Sequence, residues 1–92
     1  MSDRIFRYRL DITDRPVVTM PLGATVISVG PPRDDTDRLD MWAIVPDGTP
    51  AREREFRVVG TGNPMPDNCG QFIGTVTTHG GMSVWHVFEV ML

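Results

Sequence analysis

The chain has 92 residues, 40% of them hydrophobic and 23% charged, with a formal charge of −3. That balance specifies one globular domain over residues 1–92 and excludes a disordered chain. A single cysteine, Cys69, excludes an internal disulfide, and beside only two histidines it also excludes a thiolate zinc site.

Apolar runs are far shorter than the roughly 18–20 residues that a membrane span requires. The N-terminus reads Met-Ser-Asp-Arg with no apolar run behind it, so no signal peptide is expected and the predicted location is cytoplasmic. All nine basic residues are arginines, interspersed with twelve acids. Such mixing disfavours a DNA or RNA polymer as partner and leaves a small anion held by a few arginines.

Alternation with a period of two recurs along the chain and a helical period does not. Residues 4–12 place Phe6, Tyr8, Leu10 and Ile12 on one face and Arg7, Arg9 and Asp11 on the other, which predicts a half-buried strand. Thr13-Asp14-Arg15-Pro16 is a turn. A short strand follows over 17–20, stopped by Pro21, and a β-branched strand over 24–29. Residues 30–38 (GPPRDDTDR) form a polar surface loop; the aspartate spacing lacks the glycine and distal glutamate of a calcium-binding EF-hand loop. Strands are then predicted over 39–45, 54–59, 71–78 and 82–90. Pro46-Asp47-Gly48 follows the first of these, a long glycine- and proline-rich loop spans 60–70, and Gly80-Gly81 marks a hairpin. Seven short strands without a helix predict an all-β antiparallel sandwich or flattened barrel.

The expected core comprises Phe6, Leu10, Val26, Ile44, Phe56, Val58, Phe72, Val76, Phe88 and Val90. The C-terminal run Val90-Met91-Leu92 is apolar and follows a strand, which predicts a homo-oligomer built from C2 dimers.

The loop after the fifth strand carries the clearest binding signal. Gly60-Thr61-Gly62-Asn63 can turn successive N–H groups toward one point, and Arg57 on the incoming strand can add a bidentate phosphate contact. The alternative is a tight connection whose glycines serve geometry only, since no GxGxxG or P-loop pattern accompanies them. Trp42 and Trp85 have mixed polar and apolar strand neighbours, so each either stacks on a base or packs within a sheet. His79 sits beside the glycine pair and either donates to a ligand or is inert. His86 shares a strand phase with Val84, Phe88 and Val90 and is expected to be a satisfied, partly buried ring. No nucleophile–base pair and no metal cluster can be assembled, so the chain is predicted to be no enzyme and to need no cofactor.

The order Trp42-Ala43-Ile44-Val45, EFRVVGTGNPMP (55–66), FIGT (72–75), Gly80-Gly81 and WHVFEV (85–90) resembles a widespread family of small phage-encoded proteins catalogued as a domain of unknown function. The resemblance covers nearly the whole chain, and the 30–38 loop departs from it. The chain is also similar to the anti-CBASS sponge proteins of phages, which hold cyclic oligonucleotide immune signals without cleaving them. That similarity implies a cyclic di- or trinucleotide ligand in the cytoplasm of an infected host. It implies phosphates near Arg57, Thr61, Gly62 and Asn63, and a base stacked on Trp42 or Trp85. A phage-encoded protein inhibitor of a host enzyme and a minor virion structural protein are the alternatives.

Overall fold

A computed structural model describes residues 2–34 and 37–91. Seven strands follow one another: β1 (Arg4–Asp11), β2 (Val17–Pro21), β3 (Thr25–Gly30), β4 (Arg38–Val45), β5 (Ala51–Gly60), β6 (Gln71–Thr78) and β7 (Ser83–Glu89). They build two antiparallel sheets, ordered β1-β4-β3 and β2-β5-β7-β6. The sheets stack without closing into a barrel, so the molecule is an all-β sandwich. No helix among the described residues is long and apolar enough to cross a membrane.

Alternation explains which faces meet. Leu10 on β1, Val18 and Met20 on β2, Phe56 and Val58 on β5, Val76 on β6 and Val87 on β7 form the buried cluster. On β4 the inward phase is Leu39, Met41, Ala43 and Val45. Ile44, expected in the core, lies in the opposite phase with Asp40 and Trp42 and is only half-buried. Asp40 is nonetheless 1% exposed, because the Arg7 guanidinium lies across both of its carboxylate oxygens at 3.2–3.3 Å.

Other core expectations also fail. Phe6 is 47% exposed near the start of edge strand β1, and Phe72 is 53% exposed on edge strand β6. Phe88 is half-buried, while Val26, also half-buried, does pack against the core cluster. In β7 the inward phase runs Trp85, Val87, Glu89, leaving Phe88 on the outer face with His86. Glu89 can occupy an inward position because Arg54 grips it twice, Nε to Oε2 at 2.5 Å and Nη2 to Oε1 at 2.9 Å. Arg54 also donates to the Ala24 carbonyl at 2.6 Å, tying the two sheets together at that end. Val90 is buried and Met91 exposed; Leu92, part of the expected apolar tail, lies outside the described residues, as do Asp35 and Thr36 of the acidic loop.

Element boundaries shift modestly. β5 begins at Ala51, earlier than the alternation of Phe56 and Val58 reveals, because its first half pairs with β2 from Pro21↔Ala51 to Val17↔Glu55. The β6–β7 hairpin turns through a single-turn 3₁₀ segment, His79–Gly81, with φ of +53°, +63° and +93° in succession. Two glycines supply that left-handed path at no steric cost, and His79 shares the strain.

Candidate functional site

The predicted anion loop begins where β5 ends. Its first turn closes on itself: the Asn63 N–H donates to the Gly60 carbonyl at 3.0 Å, and the Thr61 N–H donates to Val84 on β7 at 3.1 Å. A Cβ on Gly60 would lie 2.9 Å from the Asn63 amide nitrogen and 3.4 Å from the Trp85 ring, so the Asn63 side chain would have to shift. Gly62, at φ +91°, faces open space. Two of the N–H groups expected to converge on a ligand are therefore already used within the chain.

Arg57 is bonded within its own strand. It is 3% exposed, and its Nη1 donates to Glu55 at 2.9 Å and to the Phe56 carbonyl at 3.0 Å. Its Nε is buried and has no partner. Phe56 and Val58 point inward, so Arg57 and Val59 belong to the outer face of the four-stranded sheet.

Register assembles a second set of residues on that same face. One row runs Arg57, Phe88, Phe72 across β5, β7 and β6, and the next runs Val59, His86, Thr75. The Phe72 and Phe88 rings are tilted at 60° with centroids 5.4 Å apart. His86 is held at both nitrogens: Thr61 Oγ1 lies 2.7 Å from Nε2 and Thr75 Oγ1 lies 3.0 Å from Nδ1. In the neutral ring one nitrogen donates and the other accepts, so one threonine keeps a free O–H and the other free lone pairs. The result is a fixed row of hydroxyl, imidazole and hydroxyl beside an aromatic pair. His86 and Phe88 are two positions apart on β7, roughly 6.5 Å at the usual rise.

The remaining predicted site residues are dispersed. Trp85 points inward, packs against the core and donates its indole N–H to Thr78 Oγ1 at 3.0 Å. Trp42 lies on the outer face of the other sheet, over Gly30, whose added Cβ would meet the ring at 3.2 Å. His79 stands at the hairpin tip, Nδ1 3.0 Å from Thr78 Oγ1 and Nε2 3.5 Å from the Asp37 carboxylate. The fold thus joins Thr61 to His86, sets Asn63 beside Gly60, and puts Arg57 in the row of Phe88. It brings neither Trp42 nor His79 to them. Sequence alone does not mark Thr75, Phe72 and Phe88 as site residues; the shared phase of Val84, His86 and Phe88 is their one visible signal.

Chemically, the outer face offers hydroxyls, an imidazole and flat apolar rings, the means to hold a ligand. Among the described residues no group of three His, Cys, Asp or Glu side chains could hold a metal ion. The Cys69 thiol donates to the Pro66 carbonyl at 3.0 Å. A cavity of about 440 Å³ at one end of the sandwich is lined by Arg52, Arg54, Gln71 and Glu89. Its central charges, Arg54 and Glu89, already neutralise each other.

No curated protein and no solved structure matches the chain. Residues 1–91 match a family model described as a domain of unknown function, DUF7352, and the chain belongs to that family.

Proposed function

We propose that the protein is a non-catalytic binding module that holds a small phosphorylated nucleotide, most simply a cyclic one, on the outer face of its four-stranded sheet. The observation that carries this reading is the Thr61–His86–Thr75 row beside the Phe72–Phe88 pair. A base stacks on the exposed phenylalanine while the threonine hydroxyls and the Gly62 N–H meet sugar or phosphate oxygens. Both His86 nitrogens bond hydroxyls and neither bonds a carboxylate, so the ring fixes the two threonine hydroxyls in place for a ligand. Sequestration in the cytoplasm of an infected host needs only this, and the anti-CBASS resemblance supports that ligand class. A 92-residue monomer cannot enclose a cyclic dinucleotide, so two copies related by a two-fold axis present matching faces to it.

Calorimetry with a panel of cyclic di- and trinucleotides tests the proposal. Saturable binding that Thr75→Val and Phe72→Ala each weaken by about tenfold, roughly one good contact apiece, is expected. No heat with any member at about 100 µM protein would end it. One further observation favours a second reading, inhibition of a host enzyme by docking: Val17 on β2 and Phe72 on β6 are both exposed apolar groups at the two edges of this face.

A further inference from the structure

β5 changes partners along its length, and the change leaves a gap. Its first half pairs with β2 and its second half with β7. In an antiparallel strand, one residue directs both its N–H and its C=O to one edge and the next residue directs both to the other. Two bonds set the phase: the Phe56 N–H donates to Pro16 on the β2 side, while the Glu55 carbonyl accepts from Val90 on the β7 side. Val58 therefore turns its N–H and C=O toward the β2 side. Nothing stands opposite, because β2 begins only at Val17, paired with Glu55, and residues 12–15 bend away. Among the described residues neither backbone group of Val58 has a hydrogen-bond partner. Yet Val58 is only 9% exposed, and a buried strand edge left unpaired is costly.

The gap is a cavity of about 210 Å³, floored by Val58 and Val59, with Asp14 and Arg15 on one side and Pro64 and Pro66 on the other. We propose that this slot binds an extended polypeptide segment, which adds beside Val58 as a short strand where β2 leaves off. A donor and an acceptor side by side on one residue are half of an antiparallel hydrogen-bonded pair, and a peptide residue supplies the other half. An anion would satisfy the N–H alone and face the Val58 carbonyl and Asp14. The prolines have no N–H to compete for the incoming carbonyl, and their rings pack against a side chain. Arg15 and Asp14 offer one charge of each sign at the mouth. The volume corresponds to about seven waters at roughly 30 Å³ each, enough for one or two residues.

The test is an amide-resolved NMR titration of the full chain with acetyl-Val-Thr-Val-amide. Saturable shifts at Val58, Gly60 and Asn63, with a millimolar dissociation constant, are expected for so short a strand. The same peptide N-methylated at threonine keeps its side chains but loses the pairing N–H and should bind about tenfold more weakly, one hydrogen bond's worth. Val58→Pro removes an N–H that has no partner among the described residues, so the β5–β7 ladder survives and the peptide shifts disappear. No saturable shift up to about 10 mM peptide, a dissociation constant equivalent to about 2.7 kcal/mol, overturns the proposal. So does equal binding of the N-methylated peptide, or unchanged binding to a folded Val58→Pro protein. Thr75 does not line the slot, so Thr75→Val leaves peptide binding intact whether or not a nucleotide binds.

Discussion

Arg54 and Arg57 are three residues apart on one strand, and the sandwich treats them oppositely. Arg54 points inward and balances the buried Glu89 carboxylate through two bonds. Arg54→Met should strand Glu89 and cost about 3–5 kcal/mol, a large share of the 5–15 kcal/mol typical of a domain. Arg57 lies on the other face, keeps one nitrogen without a partner, and is paired with a Glu55 side chain that retains 35% of its exposure. Losing it leaves a carboxylate with access to water, and a methionine of similar reach removes an unsatisfied buried donor that costs about 1–3 kcal/mol. Arg57→Met is therefore expected to change stability by less than about 1 kcal/mol, in either direction. Urea denaturation of the two variants separates the roles. A large loss at Arg57 and none at Arg54 would contradict the assignment of faces.

At the scale of the strand, alternation is a reliable guide only when one phase is clearly polar. β1 alternates charges with apolar groups, and its inward face was legible from the sequence, although Phe6 lies too far toward the open edge to be covered. β4 reads Leu-Asp-Met-Trp-Ala-Ile-Val, apolar at both phases, and nothing local reveals that Arg7 neutralises Asp40 and lets it stay buried. β7 has the same ambiguity, resolved by Arg54 from another strand. The site was less legible than the fold for a related reason. Thr61, Thr75 and His86 meet through cross-strand register, with a bulge between Phe72 and Gly74, and register across three strands is not written in any one of them. The loop is a case where residue type and geometry diverge. Its glycines read alike in the sequence, but only some of them serve close packing. A Cβ on Gly70 would lie 2.0 Å from the Glu89 carbonyl oxygen at φ +70°, whereas one on Gly62 would meet nothing. Gly62→Ala should cost only the left-handed strain, about 1 kcal/mol, and Gly70→Ala substantially more, because the backbone of β7 cannot yield. Thermal melts of the two should differ by several degrees, about 4–8 °C per kcal/mol in a domain of this size. Core truncation gives the matching contrast: Phe56→Ala should cost about 3–5 kcal/mol and Phe72→Ala little.

For the molecule as a whole, stability depends on how the two sheets close on each other. The Arg54–Ala24 bond fixes one point, and the packing of edge strands β3 and β6 fixes another. At that corner Gly74 faces Val29, and a Cβ at position 74 would come within 2.9 Å of Val29 Cγ2. The absent side chain on β6 lets the edges approach, and a methyl there must push against the other sheet. Gly74→Ala should destabilise by about 1–3 kcal/mol, the usual cost of overpacking. Val29 is a side chain and can be shortened, so the double variant Gly74→Ala, Val29→Ala restores the space. The two substitutions should then couple, the double variant being at least about 1 kcal/mol more stable than the single effects predict, as contacting residues commonly are. Denaturant titration of the four proteins measures that coupling. Additive effects would mean that the sheets do not meet through this pair, and that the Arg54 tie and the core between β4 and β5 hold the sandwich without it.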